Sequence, residues 1–197
     1  MLYIGCSRSN QRIKVMSSLI IWFQKIKFRL IGIEAMEISH IYGRFVGSSW
    51  NRDFIYHQHG SGSSFMGGKS FSRKHQTVKE LRLRISRSAE IKIGQVCVDR
   101  EGMPYSFTQN IGIAIVGIVW ILTFKKVVIK NPFTSSTNCI EEWVVILCDE
   151  LRIEVPKNVD SWLPQDFWMW LETLPCVDPM RGQLLSKDAN EDESSPV

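Results

Sequence analysis

The sequence has no Cys-x-x-Cys pair, no internal repeat, no proline-rich linker and few histidines. Its five cysteines, Cys6, Cys97, Cys139, Cys148 and Cys176, are an odd and widely scattered set, which excludes a disulfide framework and a zinc knuckle. Apolar runs are short as well. Residues 102–124 carry no charge, but the almost wholly apolar part, Ile111–Phe124, is fourteen residues long. A bilayer needs about 20, so a buried or interfacial helix is expected. The N-terminus places a brief apolar stretch before Arg8, Arg12 and Lys14, the reverse of a signal peptide, so a cytoplasmic protein is expected.

What is present describes one domain. The 197 residues are 44% hydrophobic and 22% charged, enough to build a core. The net charge of +4 hides an asymmetry: 17 basic against 6 acidic residues in 1–100, and 7 against 14 in 101–197. A uniformly basic nucleic-acid coat is therefore excluded, and no nucleic-acid partner is expected.

Along the chain, Leu2–Ile4 opens as a strand, and Ser17 caps a helix through Ile26. Ser39–Val46 and Phe54–His59 read as paired strands around a polar turn. Gly60–Ser72 reads as a Gly/Ser-rich surface loop, and Lys79–Ile85 alternates as a half-buried strand with a basic outer face. Helices are expected over Ser88–Arg100, Cys139–Leu151 and Pro164–Leu174, the last with Pro164 in its first turn. The acidic residues after Ser186 have nothing to bury and read as a disordered tail. The class is α+β, a single domain over 1–180 with a small antiparallel sheet packed against helices, followed by a tail over 181–197.

Chemistry has few places to reside. Gly62-Ser-Ser-Phe-Met-Gly67-Gly68-Lys69-Ser70 looks like a phosphate loop but has one residue too many and no amphipathic helix behind it. Cys97 and Cys148 fall in helices beside apolar positions and read as packing thiols; Cys6 and Cys176 read as loop thiols. Cys139 differs, because it opens the strongest helix of the second half, where unpaired N–H groups and the helix dipole favour a thiolate. A cysteine nucleophile needs a base. His75 sits among Arg73, Lys74 and Gln76 and reads as a solvated surface residue. His40 begins a strand, and His57 and His59 share one face of the next, so strand pairing brings one of them beside His40. No carboxylate or His-x-x-x-His spacing supports a metal there, and no cofactor is expected.

Taken in order, these segments resemble the circularly permuted, NlpC-type branch of the papain-like cysteine peptidases and amidases, in particular its small phage and bacterial members. Tyr3-Ile-Gly-Cys-Ser-Arg is similar to the opening strand, Ser39-His40-Ile41-Tyr42 to the strand that supplies the base, and Ile55-Tyr56-His57-Gln58-His59-Gly60 to the strand that orients it. Gly102-Met-Pro-Tyr105 resembles the Gly-x-x-Tyr segment, Asn138-Cys139-Ile140-Glu141 the start of the nucleophile helix, and Leu163-Pro164-Gln165-Asp166-Phe167 the start of the final helix. The likeness implies a permuted papain-like domain in which Cys139 is the nucleophile, His40 the base, and His57, with His59 as second choice, the orienting group. Tyr42, His59, Tyr105 and Glu141 would then line the substrate. The implied partner is a peptide, an amide or a lipid-linked acyl group, with peripheral membrane contact through Ile111–Phe124. The implied setting is the host cytoplasm, or a virion if the protein is phage-encoded. Two departures bear on activity: a histidine stands where relatives carry a carboxylate or amide, and Ile140 stands where they carry a small residue. The alternative implied is a degenerate fold kept as a structural or binding accessory.

Overall fold

Alternation along the first strand sets the architecture. In β1 (Leu2–Ser9), Leu2, Ile4 and Cys6 point to one face of the sheet and are fully buried. The computed structural model describes residues 1–9, 15–47, 53–59, 61–123, 130–132 and 138–177. After β1 come α1 (Val15–Leu30), β2 (His40–Phe45), β3 (Phe54–His59), β4 (Gly62–Gly67), α2 (Gly68–Lys74), β5 (His75–Arg82) and α3 (Arg87–Asp99). Three further helices follow, α4 (Phe107–Leu122), α5 (Cys139–Leu151) and α6 (Pro164–Glu172), with a 3-10 turn at Val159–Ser161. The fold is α+β, with one antiparallel five-stranded sheet in the order β4-β3-β2-β1-β5.

The two faces of the sheet are unlike. On one, Ile4, Cys6, Ile41, Phe45, Tyr56 and Leu81 form the main core with α3, α5 and α6. Helix α5 comes closest at Gly43, where an added Cβ would stand 2.1 Å from the Trp143 ring. On the other face, Tyr42, Ile55 and Phe71 form a smaller core beneath α2. The Tyr42 ring lies over Gly5, and its hydroxyl meets Thr77 Oγ1 at 2.9 Å and Glu80 Oε1 at 2.8 Å.

Helix α1 and helix α6 are joined by buried amides. Gln24 Nε2 donates to Ile38 O and Met36 O, and Gln24 Oε1 accepts from Gln165 N. Gln165 Oε1 accepts from Met36 N, and its Nε2 donates to Glu34 O. Asp166 caps α6 by accepting from Leu163 N and also pairs with Lys27 on α1.

Several local expectations are corrected. Of the expected loop Gly60–Ser72, the described residues 61–72 hold β4 and the start of α2, because pairing with β3 orders a stretch that has no apolar alternation of its own. The first strand extends to Ser9, so Cys6 is a buried strand residue, flanked by β2 and β5. Ser17 lies inside α1 and is not its cap. β5 begins at His75, earlier than the sequence pattern indicates. The expected disordered tail lies outside the described residues. No helix among those described is long and apolar enough to cross a membrane.

Candidate active site

Strand pairing gathers all four imidazoles of the chain. Tyr42 is opposite His57 in the β2–β3 ladder, so His40, two residues earlier on the same face, comes to the end of that ladder. His40 Nε2 lies 3.2 Å from His57 Nδ1. His75 stacks on Phe71 at 4.4 Å and on His40 at 5.2 Å, and is not the solvated residue expected from its charged neighbours. His59 lies 5.0 Å from His57 and turns outward, Nε2 to Ser64 Oγ and Nδ1 to Ser61 Oγ and N. Since Nδ1 of His59 accepts the Ser61 N–H, its proton is on Nε2.

Burial dominates the electrostatics of this group. Desolvation first, then the neighbouring imidazoles, holds His40 well below its usual range. The same causes, with Lys74, bring His57 to about 3. Burial followed by Lys74 and His59 brings His75 to about 4. At neutral pH the imidazoles of His40, His57 and His75 are uncharged bases. Among the described residues no group of three or more His, Cys, Asp or Glu has the arrangement of a metal site.

The thiol comes from the opposite side of the sheet. Asn138 caps α5, its Oδ1 accepting from Ile140 N at 2.9 Å and Glu141 N at 3.0 Å, which starts the helix at Cys139. The thiol packs with Ile41 in the main core, and the Ile41 amide, joined to the carbonyl of His40, favours its ionised form. Cys139 therefore meets β2 one peptide unit from the imidazole, where the β2–β3 ladder, whose first pair is Tyr42↔His57, has opened. Among the described residues no hydrogen bond joins the thiol to the ring itself. Burial pushes the thiol up to about 11, against the Ile41, Cys139 and Ile140 amides that pull it down. Desolvation thus outweighs the helix N-terminus, and the thiolate expected from position alone is not the resting form.

The other expected residues divide between these two groups. Tyr105 lies beside Cys139, with its hydroxyl accepting from Asn110 Nδ2 and pushed up by burial first and by the thiol second. Glu141 Oε2 accepts from Gln109 Nε2 at 2.6 Å. Tyr42 is instead a packing residue of the imidazole face, fully buried beside Phe71 at 4.6 Å. Sequence reasoning missed Gln109, Asn138 and Phe71. Phe71 alone carried a usable signal, as an aromatic in an otherwise polar segment.

A cavity of about 250 Å³ opens between α1, α4 and α6, lined by Phe23, Ile113, Trp120, Trp162 and Leu163. It begins one helical turn beyond Gln109. No family model, curated protein or solved structure matches this chain.

Proposed function

We propose that the protein is a thiol-dependent acyl-transfer enzyme, a hydrolase or acyltransferase of amides or esters, with Cys139 as nucleophile, His40 as base and His57 as its orienting partner. The observation that supports this most is that Cys139 packs beneath β2 with Ile41, the residue that follows His40, whose Nε2 is already engaged by a second histidine. Because thiol and imidazole are both neutral at rest, the proton moves as the nucleophile attacks. The S–H proton passes to His40 Nδ1, the sulfur forms a bond to the carbonyl carbon, and the carbonyl π pair moves to oxygen. His40 Nε2–H then donates to His57 Nδ1, which leaves the proton of His57 on Nε2. On collapse the bond to the leaving amine or alkoxide breaks, and His40 returns the proton to it. Water, or another acceptor, resolves the thioester.

The cavity beside α4 has an apolar wall of Phe23, Ile113, Trp120 and Leu163, which suits the hydrocarbon part of an acyl group, and a polar one that includes Lys27, Lys157 and Asp166. Ile111, Ile115, Ile118 and Leu122 are exposed along the outer side of α4, which supports a peripheral contact with lipid. A reducing, cytoplasmic setting belongs to this reading, since the nucleophile must remain a thiol. The resemblance to the permuted papain-like branch supports the same roles, with the histidine before the cysteine in chain order.

A second reading, a degenerate fold that binds without turnover, is favoured by the burial of Cys139 and its raised pKa. Acylation by p-nitrophenyl acetate separates the two. The enzyme reading expects a thioester mapped by mass to Cys139, absent in Cys139→Ala and at least tenfold slower to form in His40→Ala. An unacylated Cys139 in folded protein would establish the binding reading instead.

A further inference from the structure

Two buried amide side chains meet the first turn of α5, and each is satisfied on one half only. Asn138 Oδ1 accepts two backbone N–H bonds, from Ile140 and Glu141, while its Nδ2 is buried without a hydrogen-bond partner. Gln109 Nε2 donates to the Glu141 carboxylate, while its Oε1 is buried without one. Neither orientation can be reversed. Turning Asn138 would set its NH2 against two N–H donors, and turning Gln109 would set its carbonyl oxygen against a carboxylate. The groups left over are therefore a donor on Asn138 and an acceptor on Gln109.

Both residues are essentially inaccessible to solvent, Asn138 at 1% and Gln109 at 0% exposure. Each unpaired group there costs about 1–3 kcal/mol, which calls for a compensating partner. Asn138 immediately precedes Cys139, and Gln109 is tied through Glu141 to the same helical turn. A secondary amide carries both complements, a C=O that accepts and an N–H that donates, whereas an ester offers only acceptors.

We infer that Asn138 Nδ2 donates to the substrate carbonyl oxygen and that Gln109 Oε1 accepts the substrate N–H, making the site selective for amides over esters. The inference rests on the acyl-transfer reading. As the sulfur bonds to the carbonyl carbon, negative charge develops on the oxygen held by Asn138, and a donor at that position is worth more in the transition state than before it. Gln109 Oε1 holds the N–H of the scissile bond, so that the nitrogen is presented to His40 when that bond breaks.

The test compares p-nitroacetanilide with p-nitrophenyl acetate, which share acyl and aryl groups, by following acylation of Cys139 in the full chain by mass. Asn138→Ser and Asn138→Asp keep a capping oxygen and remove Nδ2; either should slow both reagents about tenfold or more. Gln109→Met removes the acceptor and should slow the anilide fivefold to tenfold more than it slows the ester. Thermal melts of each variant establish that it is folded. Ester acylation unchanged in both Asn138 variants overturns the inference, as does an anilide rate no more sensitive to Gln109→Met than the ester rate. A wild type that accepts the ester but not the anilide overturns it too. If neither reagent acylates Cys139, the acyl-transfer reading itself falls, and this assignment with it.

Discussion

At the level of single residues, close approach and charge burial decide what the fold tolerates. Gly43 lies under Trp143, and a methyl group there would overlap a ring that is itself buried between α5 and the sheet. Gly43→Ala is expected to cost about 2–3 kcal/mol by chemical denaturation, because the ring cannot retreat. The imidazoles impose a pH dependence. An unfolded histidine titrates near 6.5, whereas His57 in the folded protein titrates at about 3. Between those values the unfolded chain binds the extra proton, so folding stability is complete above pH 6.5 and falls as pH drops toward 3. The slope from His57 alone reaches about 1.4 kcal/mol per pH unit, and His57→Gln should flatten an acid-unfolding series by that amount. His75 was unreadable as a member of this group, because what buries it is Phe71, carried by a helix of polar composition. Cys139 was legible as the exceptional thiol from its place at a helix start. Its high pKa was not, since desolvation comes from a packing that sequence position does not report.

Among the elements, α5 was legible from end to end, because it follows a polar loop and one broad apolar face runs through Leu151. β4 was not, since Gly62-Ser-Ser-Phe-Met-Gly67 lacks alternation and becomes a strand only through its ladder with β3. The buried amides that join α1 to α6 were equally invisible, because their partners are backbone groups distant in the chain. Gln24→Met keeps the volume but strands the carbonyls of Met36 and Ile38 and the N–H of Gln165, and should cost about 3 kcal/mol or more. Helix α4 offers a different test. Wild-type protein should sediment with phospholipid vesicles, and Ile115→Asp, on the exposed side, should abolish this without changing the thermal melt.

Over the whole molecule, the opposed charges of the two halves become contacts between them. Lys27 pairs with Asp166, Lys79 with Glu172 and Arg100 with Glu142, each a cation from the basic half and an anion from the acidic half. The first two are partly exposed and contribute little. Glu142 is fully buried and also accepts from Tyr56, so Arg100→Met removes a cation from beside a buried carboxylate and should cost about 1–3 kcal/mol. The candidate site spans the same division, its histidines from the basic half and its cysteine from the acidic half. The most direct test of that assembly is the rate of iodoacetamide alkylation at Cys139 across pH 6–11, mapped by mass in wild type and His40→Ala. With a neutral thiol and a neutral base, the wild type should react at least tenfold faster than the variant at pH 6. The gap should close near pH 11, where the thiol ionises without help. Equal rates in the two proteins at every pH would contradict the account.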